Sequence, residues 1–328
     1  MQKKFSTLLL DWYAACGRDL PWRVKGGAHP DPYIVLVSEL MLQQTTVKTV
    51  LPYFEKFIKR FPNVQDLADA PLEEVYLYWQ GLGYYTRAKS LHQSAKMIAY
   101  DFGGKFPNNK SDVLKLKGLG PYTVASFLAL AFDKPETVVD GNVIRIIARL
   151  EHLTDPTDEI LPLIYQKAQS LTDKNHAADY ASAIMDLGAT ICTKKNPLCD
   201  TCPVQSFCKS KGLADIEQIP VRKKTPKKDF NGYVYLITNS ANQILIRKRV
   251  ERGLLSGLYE FFWSEEPLFD NAVDTKKEVS HIFTHINMHL KIYTLKSNTA
   301  FKDGFFVSLK DLNQYAFSTL MQKVLRQI

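Results

Sequence analysis

Four cysteines, Cys192, Cys199, Cys202 and Cys208, fall in a Cys-x6-Cys-x2-Cys-x5-Cys run, CTKKNPLCDTCPVQSFC, that leaves only Cys16 elsewhere in the chain. Thiols this close in sequence, with Pro197 and Pro203 turning the backbone between them, suit one four-coordinate centre better than two disulfides. Structural zinc and an iron-sulfur cluster both satisfy this spacing, and the cysteines alone do not choose between them.

The rest of the chain bounds the class of protein. With 328 residues, 45% of them hydrophobic and 12% aromatic, it has material for two domains with real cores and does not read as disordered. A formal net charge of +8 favours an anionic partner without identifying one. The opening MQKKFSTLLLDWYAAC offers only Leu8 to Leu10 before Asp11 interrupts, too short for a signal core, and no apolar run reaches the roughly 18 residues a membrane span needs. The expectation is a soluble, cytoplasmic, monomeric protein with no membrane partner.

From residue 1 to 212 the apolar residues recur at three- and four-residue spacing, as in Val47, Val50, Leu51, Phe54, Phe57 and Ile58, which predicts about ten helices. Residues 213–229 carry Pro220, Pro226 and five basic residues, Arg222, Lys223, Lys224, Lys227 and Lys228, and read as an interdomain linker, either solvated or touching phosphates. In 230–328 the period changes to two. GYVYLIT and QILIRKR flank NSAN as a hairpin, and MHLKIYTL alternates again, predicting a separate α+β domain.

Three motifs carry candidate chemistry. Gly118-Leu119-Gly120 stands just before a helix that starts near Pro121. Glycines allow a tight turn and bring backbone N–H groups to a phosphate at a helix N-terminus, although such a turn is often only a connection. Asp140 immediately precedes the helix with apolar face Val143, Ile146, Ile147 and Leu150. It reads as an N-cap, and there the free N–H groups and the dipole are expected to hold it ionised. Glu39 lies among Ile34, Val35, Val37, Leu40, Met41 and Leu42. It is either the solvent face of an amphipathic helix or, in a cleft, an acid whose pKa burial raises. One acid raised and one depressed would suit cleavage of a glycosidic bond through an oxocarbenium-like state.

SELMLQQTTVKTVLPYFEKF, GLGYYTRAKSLH, GLGPYT, VDGNVIRIIARL and MDLGATICTKKNPLCDTCPVQSFC follow in order over about 170 residues, from Ser38 to Cys208. Together they resemble the A/G-specific adenine DNA glycosylases of the helix-hairpin-helix superfamily. The resemblance implies a multidomain chain: an all-α helix-hairpin-helix glycosylase region with an iron-sulfur loop over residues 1–212, then a Nudix-like α+β domain. It also implies that Cys192, Cys199, Cys202 and Cys208 hold a 4Fe-4S cluster. Glu39 matches the family's general acid, Asp140 the carboxylate that stabilises or captures the sugar cation, and Asn142 a residue that orients them. Tyr122 stands where similar glycosylase-lyases of the endonuclease III type, which act on oxidised pyrimidines, carry a lysine. A tyrosine forms no Schiff base, so the resemblance implies base release without strand cleavage.

Trp22 and Arg23 match residues of the adenine pocket, and Gln43, Gln44 and Tyr84 match residues that enter the duplex when the base is flipped out. Gly118 and Gly120 match the DNA-binding hairpin. Two departures touch the pocket: Ser182 stands where Glu or Gln is common, and the interval from Arg23 to Tyr33 is longer than usual. In the C-terminal domain, QILIRKRVERGLLSGLYEFF resembles the Nudix-like domain of the same enzymes, with Tyr259 and Phe262 in place of Trp and Pro. No paired-glutamate run is present to support metal-dependent hydrolysis. Phe283, Thr284 and His285 match the loop that reads 8-oxoguanine. The implied partner is double-stranded DNA with adenine opposite 8-oxoguanine or guanine; the alternatives are the oxidised-pyrimidine lyase, a non-catalytic DNA-binding scaffold and a nucleotide pyrophosphohydrolase.

Overall fold

The computed structural model describes residues 4–24, 29–221, 223, 226–251, 253–299, 301 and 303–327. The chain divides into two compact units, Met1–Asp69 with Ser90–Lys224, and Ala70–Lys89 with Thr225–Ile328.

The first unit is helical. Among the described residues, eleven α-helices run between Phe5 and Thr190, including short ones, and 3-10 turns follow through the cysteine region. Two helices at its centre explain why Glu39 is buried. Helix Pro32–Leu42 buries Tyr33, Val35, Leu36, Val37, Ser38, Glu39, Leu40 and Met41, and helix Pro121–Phe132, packed against it, buries Val124, Phe127 and Leu128 among others. A helix apolar nearly all round belongs in a core, and there Glu39 has no solvent face to turn to. Both starts are set locally. Asp31 accepts from the Tyr33 N–H and Pro32 opens the first turn, while Gly120 precedes Pro121 in the other helix. Helix Val47–Arg60 is amphipathic, with Val50, Phe54 and Phe57 buried, Thr46 as its cap and Lys59 and Arg60 in its last turn. Phe57 is fully buried, so Phe57→Ala removes a side chain worth about 3 kcal/mol or more.

The second unit is built on a seven-stranded mixed sheet. Its strands are β1 Lys228–Thr238, β2 Ile244–Lys248, β3 Tyr259–Glu260, β4 Phe262–Ser264, β5 Val273–Ile282, β6 Ile286–Lys296 and β7 Gly304–Val307. The main order is β3-β2-β1-β6-β5, with β4 paired to β1 and β7 to β2. The expected hairpin is β1 to β2, joined at Thr238 and Ile244. β1 and β6 run parallel from Lys228–Ile286 to Thr238–Lys296. Val234 and Leu236 bury one face with Phe261, Phe317, Leu320 and Val324, and Tyr235 and Ile237 bury the other with Leu245 and Leu295. A strand covered on both sides reads as a continuous apolar run, as YVYLI does.

Residues 70–89 belong to this sheet unit. The Phe317 N–H donates to Gln80 Oε1 at 3.1 Å and Tyr85 Oη to the Phe317 carbonyl at 3.2 Å. The connecting segment is not a free tether throughout. Val221 bridges Pro156, and Lys223 pairs with Asp158 at 3.0 Å and Glu159 at 3.2 Å, so its charge is already met by carboxylates. Lys227 donates to the Phe283 carbonyl at 3.0 Å and Lys228 opens β1; Arg222 and Lys224 lie outside the described residues. Among the described residues no helix is long and apolar enough to cross a membrane.

Candidate active site

Glu39, Asp140, Tyr122, Asn142, Trp22, Arg23, Gln43 and Gln44 all line one cleft of about 910 Å3 in the helical unit. Glu39 is 7% exposed, and burial pushes its carboxyl up to about 7. Asp140 adds to the rise, whereas the Ser126 hydroxyl and the Arg23 guanidinium oppose it. Ser126 Oγ lies near the carboxyl but is buried without a hydrogen-bond partner of good geometry, so burial outweighs it.

Asp140 caps helix Gly141–Glu151. Its Oδ1 accepts from the Asn142 N–H at 2.8 Å and the Val143 N–H at 2.7 Å, and its Oδ2 accepts from Asn142 Nδ2 at 2.9 Å. These bonds favour the carboxylate, but burial is the larger effect and the net displacement is upward. The expectation of a depressed Asp140 is therefore corrected: a helix N-terminus facing solvent holds a carboxylate low, whereas here burial of the carboxyl in the cleft outweighs its three donors. The two acids still differ, because Asp140 has three donors on its oxygens.

Asn142 is held in turn. Its Oδ1 accepts from Arg145 Nη2 at 2.8 Å, and Arg145 donates onward to the carbonyls of Gly188 and Cys192 at 2.7 and 2.8 Å. The partly buried Tyr122 donates a weak contact to Met185 Sδ at 3.9 Å, and burial lifts its phenol far above the ordinary range. It therefore stays protonated near neutrality. Trp22 is buried with its ring edge-on to Phe54 at 5.0 Å. Arg23 Nη1 is engaged by Asp186 Oδ1 at 2.7 Å.

The residues expected to meet DNA divide between the units. Gly118, with φ +78°, passes so close to Ser90 that an added Cβ would come within 2.6 Å of its Cβ; only glycine fits there. Gly120 leaves open space. Gln43 Nε2 ties the first helix pair together, donating to Thr123 Oγ1 at 3.0 Å and the Gly118 carbonyl at 3.3 Å. Gln44 and Tyr84 both sit in the left-handed region, with φ 56° and 49°, a conformation that is strained for such side chains.

In the sheet unit, Phe283, Thr284 and His285 form the turn between β5 and β6, closed by the Phe283 N–H donating to the Ile286 carbonyl at 2.7 Å. Phe283 packs on the core and edge-on to His281 at 4.6 Å, leaving Thr284 and His285 exposed. Tyr84, 45% exposed, lies under the Arg87 guanidinium at 5.2 Å and shares a 3.2 Å hydrogen bond with Thr284 Oγ1. Sequence reasoning gave no reason to join these two; a separation of 200 residues leaves no local signal.

All four clustered cysteines line one small cavity, and none is in a disulfide. Among the described residues no three His, Cys, Asp or Glu side chains stand at single-ion geometry; the thiols ring a shared space instead. Burial raises the thiols of Cys199, Cys202 and Cys208, Cys202 to about 11, so holding them as thiolates needs positive charge among them. The buried Arg149 supplies some, with Nη1 3.4 Å from Cys192 Sγ, and it pins the loop by donating to the carbonyls of Thr193, Lys194 and Ile219. This donor set fits a multi-atom cluster that ties down the loop.

Family models agree with this layout. A helix-hairpin-helix superfamily base excision DNA repair model matches residues 37–168, the iron-sulfur binding domain of endonuclease III matches 192–208, and a NUDIX domain matches 233–327. Among solved structures, a thermostable thymine-DNA glycosylase is 28% identical with a TM-score of 0.55, over 63% of this chain and 94% of that one. A trapped endonuclease III–DNA covalent intermediate has the same fold, at 20% identity and a TM-score of 0.52 over 62% of this chain and 92% of that one. Fold and site thus define a helix-hairpin-helix DNA N-glycosylase of base excision repair, a hydrolase with a 4Fe-4S cluster. The adenine DNA glycosylase of Buchnera aphidicola subsp. Baizongia pistaciae is 36% identical over 88% of this chain and 84% of its own length; that of Rattus norvegicus is 32% identical over 98% and 77%. The chain belongs to the adenine DNA glycosylase family.

Proposed function

We propose that the chain, acting as a cytoplasmic monomer on double-stranded DNA, excises adenine paired with 8-oxoguanine or guanine and leaves an abasic site. Adenine removal in base excision repair is the family's reaction; the mispair partners and the residue roles are our reading. The observation that carries it is Glu39, buried and lifted to about 7, in one cleft with a hydrogen-bonded Asp140. A flipped adenine in that cleft receives the Glu39 proton on a ring nitrogen and leaves as a neutral base. The bond to the sugar breaks with its electrons going to the base, and Asp140 stabilises or captures the cation left behind. Water adds to the sugar and its proton is released. Asn142 holds Asp140 in place, Trp22 and Arg23 shape the adenine pocket, and Gln43, Gln44 and Tyr84 fill the gap in the duplex. Cys192, Cys199, Cys202 and Cys208 would hold the cluster, whose contribution is to order the loop.

Tyr122 has no amine to form an imine with the sugar. The purified protein, offered a duplex with one adenine opposite 8-oxoguanine, is expected to break the strand only after hot alkali. Borohydride trapping of a covalent adduct in high yield would support a glycosylase-lyase and sink this reading.

Thr284 and His285, exposed on the β5–β6 turn, are placed in our reading against the oxidised base. Replacing Phe283 and His285 with Ala is expected to cut the preference for 8-oxoguanine over guanine about tenfold, since polar contacts made only to the lesion help one substrate alone. Equal rate losses on both duplexes would assign the turn to general DNA affinity.

A further inference from the structure

Asp186 has no role in the reaction described above, yet it is fully buried and its carboxylate accepts four hydrogen bonds. These come from the Arg18 N–H at 2.8 Å, Arg18 Nε at 2.8 Å, Arg18 Nη2 at 2.6 Å and Arg23 Nη1 at 2.7 Å. A carboxylate without solvent is retained only where cations meet it, and here the three guanidinium bonds converge on Oδ1 while the Arg18 N–H takes Oδ2. Both arginines line the cleft that holds Glu39, as does Met185, the neighbour of Asp186. Arg18 reaches Asp186 across 168 residues of chain and Arg23 across 163, so the contact joins the loop after helix Phe5–Cys16 to helix Ala177–Thr190.

We propose that Asp186 is a positioning residue for excision: by gripping Arg18 and Arg23 it fixes the Arg23 guanidinium at the wall of the cleft beside Glu39 and cancels part of its charge there. The inference rests on the reading of Glu39 as proton donor. The groups acting on Glu39 are Ser126 and Tyr122 from helix Pro121–Phe132, Asp140 from the start of helix Gly141–Glu151, and Arg23 from the loop. Those acting with Asp186 are Arg18, Arg23 and, from helix Phe5–Cys16, Tyr13. Without the Asp186 charge, Arg23 stands uncompensated, and its field favours ionised Glu39. The proton donor is then lost at lower pH.

The test is the single-turnover excision rate of the full chain against pH, on a duplex with one adenine opposite guanine. Asp186→Asn is expected to move the alkaline fall in rate down by about half a pH unit and so to slow excision about twofold at pH 7 and about threefold at pH 8. Acidification should restore most of the loss, which it would not do for a misfolded protein. Arg23→Gln should move the same limb upward, and adding Asp186→Asn to it should move the limb no further. A limb that stays in place or rises in Asp186→Asn overturns the proposal. Should that variant fail to fold, an unmoved limb in Arg23→Gln overturns it alone. If instead Glu39→Gln keeps the wild-type alkaline limb, the proton-donor reading fails first; if that limb vanishes and Asp186→Asn leaves it unmoved, only the present inference fails.

Discussion

Glu39→Gln is expected to slow single-turnover adenine excision by about 10²- to 10⁴-fold and, at the same time, to make the protein more stable above neutral pH. The first effect follows from removing the only proton Glu39 can offer the leaving base. The second follows from the direction of its displacement. Burial raises the folded-state pKa from 4.5 to about 7, so the carboxyl contributes most to stability below 4.5 and loses that contribution as pH rises through about 7. At pH 8 the wild type carries a buried charge that the amide avoids. A displacement of that size corresponds to about 3 kcal/mol, enough to raise the melting temperature of the helical unit by several degrees. Near pH 4 the two proteins should melt alike. Thermal melts at both pH values, with the excision rate at pH 7, check the prediction; unchanged excision, or a variant less stable at pH 8, refutes it.

Why the site was partly legible in sequence follows from what periodicity encodes. PYIVLVSELML has almost no polar face, so a glutamate in it had to be buried or aimed into a cleft; the composition of the helix carried that signal more clearly than the position of Glu39 did. Asp140 was readable as a cap because capping is local, but its pKa direction depends on what covers the cleft, and that is set by residues over a hundred positions away. Residues 70–89 read as helical and gave no sign of joining the sheet, since Gln80 and Tyr85 find Phe317 only in the folded chain. Lys223 looked like a free basic residue and met Asp158 and Glu159 instead. Asp186 had one overlooked signal. It is an acid among Ala183, Ile184, Met185 and Leu187, and in such company a carboxylate needs a cation, for which Arg18 and Arg23 were the candidates.

Asp140→Asn is expected to reduce excision by about 10³-fold or more while the protein still binds the mispaired duplex with near wild-type affinity. Asparagine caps a helix as well as aspartate does, and its carbonyl can keep the bonds from the Asn142 and Val143 N–H groups. The other oxygen becomes an amide facing Asn142 Nδ2, which now donates at 2.9 Å. Two donors cannot share that contact, so the Asn142 amide must turn, and turning takes its oxygen from Arg145. The variant therefore loses the negative charge next to the sugar and loosens the residue that aimed it. Burial also raises the Asp140 pKa, so wild-type excision should fall on the acid side at a pH above the usual carboxylate range, as the group that stabilises the cation is protonated. In Asp140→Asn no acid limb should remain. A duplex-binding titration, a melt and the excision rate across pH separate the possibilities. Lost binding would mean that the cap, not the charge, was essential; a residual rate with the wild-type acid limb would assign the stabilising charge to another group.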